Sequence, residues 1–410
     1  MKRDLSARLA DLRRSGEVRT GRQLADDLEI SRNSNLFPGE GREEETAFGK
    51  CYLRELKFPL DHRHGNSTLS GALCCRGPEV VLPSRDKTLN SFNLRKSLFL
   101  DIETTGLSGG TGTWAFLIGL GWLEENNFLL RQYFLRRPAE ERAVLSHFAD
   151  AAADFPAVVT FNGKMFDLPL IQTRQMLTGF KQINPPLHLD LLQCARTLWK
   201  QRLASRSLHS LEEELLGLQR YDDIPGAEIP AVYFDFLRRG KTEQLIKVFQ
   251  HNVLDILSMV TLLERIARLS AGEWIEHPAE ALALGRLCLQ TGRTDEGIDY
   301  LREASSERPA SLAEEAALEL SLYFKRQHRW LEAAEIWQDS VQKKSANPAA
   351  YIELAKYYEH RCRKYRPALE LTEQALAICA GKRDVPNSSE LSPAALRHRQ
   401  QRLRRRLALI

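Results

Sequence analysis

The chain is 410 residues long, 43% hydrophobic and 27% charged, and its 58 Lys and Arg against 54 Asp and Glu give a net charge of +4. That composition excludes a disordered or fibrous polymer, and the mild charge supplies no global field that would by itself attract nucleic acid. Seven scattered cysteines, none in CxxC spacing, exclude a disulfide framework and a cysteine-based zinc site.

The N-terminus, MKRDLSARLADLRRSGE, is charged throughout and lacks the apolar core of a secretory leader. No stretch approaches the roughly 18 to 20 uninterrupted apolar residues of a membrane span. A cytoplasmic protein without membrane contact is therefore expected. Leu5, Leu9 and Leu12 lie at helical spacing and predict a short amphipathic helix over 4–14. The rest of the N-terminal region, 1–95, is rich in Gly, Pro and charge, with CYLREL (51–56) and GALCC (71–75) reading as short strands.

Residues 96–270 are more regular. SLFLD (97–101), TWAFLIGLGWL (113–123) and FLLRQYFL (128–135) read as strands, the last two joined through EENN and hence antiparallel. An amphipathic helix at 139–155 and a buried strand at PAVVTFNG (156–163) follow. Next come a helix through MFDLPLIQTRQML, a short strand at LHLDLL (187–192), a helix at SLHSLEEELLG (207–217) and a long helix over 242–269. This β-β-β-α-β-α-β-α order predicts an α/β mixed sheet flanked by helices, RNase-H-like in arrangement. From 278 to 380 the texture is helical only, and Gly285, Ser321 and Ala355 recur 36 and 34 residues apart. A period near 34 with a small residue at each helix crossing predicts an all-α domain of three repeats resembling tetratricopeptide (TPR) repeats. The segment 381–410 ends in HRQQRLRRRLALI, which reads either as a capping helix or as a basic tail.

Three acidic elements stand out in the α/β region. Asp101 and Glu103, in LFLDIETTG, share one face of a strand that is otherwise apolar. Two carboxylates there repel each other unless a cation lies between them, or unless the strand end simply emerges into solvent. Asp167 opens a helix after FNGKMF, a position that helix capping would also favour. His251 and Asp255, four apart in HNVLD, project from one helical face in an apolar setting, as a solvated pair or as part of a site. Together Asp101, Glu103, Asp167 and Asp255 form the kind of oxygen-donor set that binds two Mg²⁺ or Mn²⁺ ions for in-line phosphoryl displacement. In that setting His251 is the expected general base.

The motifs LDIETTGL, NGKMFD and HNVLD, in this order, resemble those of the DEDD exonuclease superfamily of the RNase-H fold. GGTGTWAFLIGLG (109–121), FNGKMFDLPLI, RYDDIPGAEIP (220–230) and HNVLDILSM bring the likeness closer to YprB-like RNase-H-domain proteins. The resemblance implies a metal-dependent 3′→5′ exonuclease acting on DNA or RNA. Asp101, Glu103 and Asp255 would be direct metal ligands, Asp167 a direct or water-mediated one, and His251 the base. The three residues between His251 and Asp255 depart from the four usual in the histidine branch of that superfamily.

Asn162, Thr104, Gly110, Gly112, Trp114, Phe166 and Lys164 form the expected substrate-binding set. The glycines of GGTGT would let a backbone approach the acids, or would form a plain loop. Trp114, Phe116 and Phe166 would stack on a base or fill the core. Lys164, Arg174, Lys200, Arg202 and Arg206 would offset phosphate charge or lie as solvated surface. Asp222 and Asp223 read as extra ligands or, the favoured reading, as a surface turn before Pro225-Gly226. A non-catalytic adaptor on the same fold and an RNase-H-fold endonuclease are the alternatives. The repeats imply a protein partner such as a helicase or repair factor.

Overall fold

The computed structural model describes residues 41–106, 110–380 and 391–409. The helix expected over 4–14 lies outside the described residues. The chain divides into two compact units, one up to Trp274 and one from Ile275.

The first unit is built on a seven-stranded sheet. Its strands are β1 (Gly41–Thr46), β2 (Gly49–Pro59), β5 (Ser97–Thr104), β6 (Ala115–Glu124), β7 (Asn127–Phe134), β8 (Ala157–Thr160) and β9 (Leu187–Asp190). A separate two-stranded ladder pairs β3 (Arg63–His64) with β4 (Ser67–Thr68). The seven strands lie in the order β1-β2-β7-β6-β5-β8-β9. β8 runs parallel to both β5 and β9, and every other pairing is antiparallel. A two-residue turn joins β6 to β7 with Glu124 opposite Asn127, which gives the expected hairpin. The hairpin β1–β2 extends the sheet beyond β7, with Tyr52 opposite Phe134, so 41–59 belong to the same sheet as the acidic strand.

Helices α1 (Gly77–Ser84), α2 (Glu141–Ala152), α3 (Asp167–Thr178), α4 (Leu191–Leu198), α5 (Leu208–Leu211), α6 (Ile229–Arg239) and α7 (Leu245–Ser270) complete the unit. The central strand β5 is apolar on both faces apart from its acids, as befits a strand covered on either side. Leu100, Ile102, Phe116, Phe134, Phe148, Tyr233 and Phe249 share one core cluster that joins the sheet to α2, α6 and α7. By length and composition α7 is apolar enough to cross a membrane, but it is a core helix: its residues from Ile256 to Ala267 are all buried. Two glycines of β6 let it lie close. A Cβ at Gly119 would run into Asn252 Oδ1 and lie 2.6 Å from Ile256 Cδ1, and one at Gly121 would lie 2.7 Å from Ile256 Cγ2.

Two local expectations change, and one segment given no element above gains one. GALCC lies in a 3₁₀ segment, Leu69–Cys74, because short apolar runs carry no period of their own and Gly71 sits against the Glu264 carboxylate. The strand in LHLDLL stops at Asp190, whose carboxylate accepts from the Leu192 amide and starts α4. RYDDIPGAEIP leads into α6, with Pro230 in its first turn.

Among its described residues the second unit has helices and no strand. It contains α8 (Pro278–Thr291), α9 (Thr294–Ser306), α10 (Ala310–Arg326), α11 (Trp330–Gln342), α12 (Pro348–Tyr357), α13 (Tyr365–Ala380) and α14 (Pro393–Leu407). The first six form three consecutive helical hairpins. The three periodic small residues lie in the first helix of each, and all are buried. A Cβ at Gly285 would lie 2.7 Å from Leu301 Cγ, and Ser321 Oγ accepts from the Trp337 indole at 2.8 Å. The tail forms a helix, α14, whose Leu396 and Leu403 join the helical core.

Candidate active site

β5 delivers the first two acids. Asp101 stands opposite Gly119 of β6 and Glu103 opposite Leu117, with a register shift between Glu103 and Thr104. Irregular pairing of this kind re-aims side chains at a strand end. Asp101 is partly open to solvent, whereas Glu103 is buried. Asn252, buried on α7, donates through Nδ2 to Asp101 Oδ2 at 2.8 Å, and its own oxygen accepts from Gln132 Nε2 at 2.9 Å.

Asp167 is the first residue of α3 and is buried. The turn before it explains the Asn-Gly pair: β8 stops at Thr160, short of the strand end expected at 163, and Asn162 and Gly163 lie in the turn. Asn162 adopts the left-handed region with φ 65°, which asparagine tolerates better than most residues. A side chain on Gly163 would stand 2.5 Å from Thr160 Cβ. Asp190, which sequence reasoning passed over, pins this turn by accepting from the Asn162 amide at 2.9 Å and the Lys164 amide at 3.2 Å.

α7 carries His251 and Asp255 on one face, with His251 Nε2 3.8 Å from Asp255 Oδ2. The opposite ring nitrogen, Nδ1, lies 2.8 Å from Asp223 Oδ2 and 3.0 Å from its Oδ1. A carboxylate can only accept, so Nδ1 carries the hydrogen of the neutral ring and Nε2 presents its lone pair toward Asp255. Asp223 thus belongs to the site, contrary to the surface-turn expectation. Asp222 does lie exposed, paired with Lys247.

Arg220, from the same segment, is the hub of this side. Its Nη2 donates to Asp255 Oδ1 and to Glu212 Oε1, each at 2.5 Å, and its Nη1 to Asp223 Oδ2 at 3.0 Å. Glu212 is fully buried in a π turn, Glu212–Leu216, and also accepts from Ser258 Oγ, which contacts the buried His64 at 2.7 Å. Glu212, Arg220 and Asn252 were not picked out from sequence. The signal for Asn252 was present: an amide inside the apolar run that flanks His251 and Asp255.

The carboxylates feel one another. Burial first, then the charges of Asp255, Glu103 and Asp167, pushes the Asp101 carboxyl well above the usual range, with the Asn252 hydrogen bond opposing. Burial, then Asp255, Asp167 and Asp223, does the same to Glu103, against the pull of Arg220. Asp167 is pushed up to about 7, mainly by burial, while the backbone amides of Asp167 and Ile102 draw it back. Asp223 faces burial too, but the His251 and Arg220 charges hold it below its ordinary value. As placed, no three His, Cys, Asp or Glu side chains among the described residues converge tightly enough to grip an ion. Asp255 leans on Arg220 and Asp101 on Asn252. The donor set nonetheless fits a hard divalent cation: Asp101, Glu103 and Asp167 are all raised by burial and like charge, with only Asn252, Arg220 and backbone amides in opposition.

Phe116, Arg174 and Arg206 take structural positions. Phe116 is fully buried and stacks on Tyr233 with ring centroids 4.1 Å apart, so it is core. Arg174 is buried, holds Glu141 through two bonds of 2.5 and 2.6 Å and donates to Thr111 O at 2.8 Å, so it braces the Gly-rich loop rather than meeting phosphate. Arg206 caps the Leu203 and Ala204 carbonyls. Thr104 Oγ1 donates to Gly106 O at 2.8 Å. A Cβ at Gly110 or Gly112 would meet nothing within 4 Å, so no neighbouring chain segment requires glycine there, though Gly110 has φ 123°. Trp114 packs against the core from a partly buried position. Asn162 and Lys164 are exposed and Phe166 is half-buried.

Residues 98–267 match RNase_H_2, a family of the RNase_H superfamily. Over 349 residues, the chain is 34% identical to the uncharacterized protein YprB of Bacillus subtilis (strain 168), covering 82% of this chain and 83% of that protein. The matched family span opens within β5 and closes within α7, and it holds every site residue above except His64.

Proposed function

The chain belongs to the family it shares with YprB, within the RNase_H superfamily, and from this we propose that it is a divalent-metal-dependent nuclease, a 3′→5′ exonuclease on DNA or RNA. The observation that carries the reading is the set of crowded, mutually repelling acids from β5 and α3 beside the Asp223–His251 pair. Asp101, Glu103, Asp167 and Asp255 would hold Mg²⁺ or Mn²⁺, two ions in this reading. When bound, such ions supply Lewis-acid stabilisation of the phosphoryl oxygens. His251 Nε2 takes the proton of the attacking water, and Asp223 fixes the ring through Nδ1. Arg220 keeps Glu212, Asp223 and Asp255 together despite their like charge. Asn162, Lys164 and Phe166, with Thr104, Gly110, Gly112 and Trp114, form the substrate-binding rim.

The test is incubation of the full chain with 5′-labelled single- and double-stranded DNA and RNA in Mg²⁺, Mn²⁺ or EDTA, beside Asp101→Ala. The expected result is a metal-dependent ladder shortening from the 3′ end, absent in the variant. Discrete internal cuts would replace the exonuclease by an endonuclease. Equal products from Asp101→Ala would remove the acids from the chemistry.

A further inference from the structure

The second unit carries an uneven share of the charge. α12 runs into a π turn, Tyr358–Cys362, and Arg363 turns the chain with φ 54° into α13. α14 packs back on these elements. Arg399 and Arg402 hold the buried Glu359 at 2.6 and 2.9 Å, and the Arg406 guanidinium lies 5.4 Å from the centre of the Tyr365 ring. These contacts set the end of α14 against the turn at 360–366.

Within 358–380 and 391–409 there are ten Arg and Lys but only three acids, Glu359, Glu370 and Glu373. That surplus exceeds the net +4 of the whole chain, so the rest of the protein is net acidic. Arg363, Lys364, Arg366 and Arg405 are exposed and have no carboxylate partner among the described residues. Arg361 is held over the Trp330 ring at 4.2 Å, as Arg406 is over Tyr365, so aromatic faces pre-set two of the guanidinium groups. Most of these cations are arginines, whose planar fork of donors suits phosphate oxygens. A surface formed by a turn and a helix end, basic rather than apolar, fits a phosphodiester polyanion better than the helicase or repair factor expected at the repeats.

We propose that the turn at 360–366 and the end of α14 form a nucleic-acid-binding surface that grips the sugar-phosphate backbone without regard to sequence. Its choice of polymer rests on the nuclease reading, but its grip does not need hydrolysis. Binding of short fluorescein-labelled single-stranded DNA and RNA to the full chain is followed by anisotropy in EDTA across a KCl series. The variant Arg363→Gln/Lys364→Gln/Arg405→Gln is compared with its Arg363→Lys/Arg405→Lys counterpart. Each lost phosphate contact removes about 0.7 from the slope of log K against log salt. The Gln variant is therefore expected to lose about 2 from the slope and at least about tenfold in affinity near physiological salt, with its melting curve unchanged. The Lys variant is expected to retain most of the slope. Equal affinity and slope in the parent and the Gln variant would overturn the proposal. So would capture of poly-glutamate in preference to either oligonucleotide, which would make the surface a protein-docking site. Failure of the nuclease reading looks different: no hydrolysis with Mn²⁺, while binding in EDTA persists.

Discussion

His251 faces Asp255 with a free ring nitrogen because Asp223 holds the other one, and this gives Asp223 a measurable role in the proposed reaction. His251→Ala is expected to slow hydrolysis by roughly 10²- to 10⁴-fold, the usual worth of a general base. Asp223→Ala should lose part of that, and the double variant no more than His251→Ala alone, because Asp223 acts through the ring. Losses that multiply in single-turnover assays would detach Asp223 from His251. The acids were legible in the sequence because carboxylates interrupt an apolar strand and an apolar helix, where only chemistry or a partner tolerates them. Arg220 and Glu212 were not legible. Eight residues apart and separated by a loop, they fall on no shared period, and only the fold shows the buried pair they make.

Between elements, the close contact of α7 with β6 positions Asn252 on Asp101. The glycines that permit it are Gly119 and Gly121, not Gly110 and Gly112, where a Cβ would meet nothing within 4 Å. Gly119→Ala should force α7 outward, at a cost of about 1–3 kcal/mol for overpacking. Thermal melting is expected several degrees below the parent, with hydrolysis falling as Asn252 leaves Asp101. A variant as stable and as active as the parent would show that α7 has room to spare. The strand order around β5 could be anticipated from a short turn and alternating strands and helices. The edge hairpin could not, since pairing of 41–59 with β7 is a long-range choice that local pattern does not encode. The boundary between β9 and α4 was misplaced because leucines suit either element, and the Asp190 cap decided it.

In the whole molecule each unit has a hydrophobic cluster of its own, one around the sheet and one among α8–α14, and calorimetry is expected to resolve two transitions. The acids of the candidate site all lie in the sheet unit. Asp167 has its carboxyl raised from about 3.8 to about 7, so between those values the folded protein keeps a proton that the unfolded chain has released. Its contribution to stability is present at low pH and lost as pH rises through that window. Asp101 and Glu103, also raised, act in the same direction. In EDTA the sheet transition is expected to fall from about pH 4 to about pH 7, less so in Asp167→Asn. Mn²⁺ at pH 7 should raise it by mass action and leave the helical transition in place. A sheet transition that climbs over the same pH range would contradict the burial of these groups. The span of chain between Asp101 and Asp255 also bears on how the protein is made. On the ribosome, β1 and β2 emerge long before β7, their partner in the sheet, and a lone hairpin is marginal in water. β5 follows with its acids, yet α7, which brings Asn252, His251 and Asp255, comes last of the unit. A nascent chain short of residue 270 therefore displays isolated carboxylates and an open sheet face, and the candidate site comes into being in one late step rather than by stages.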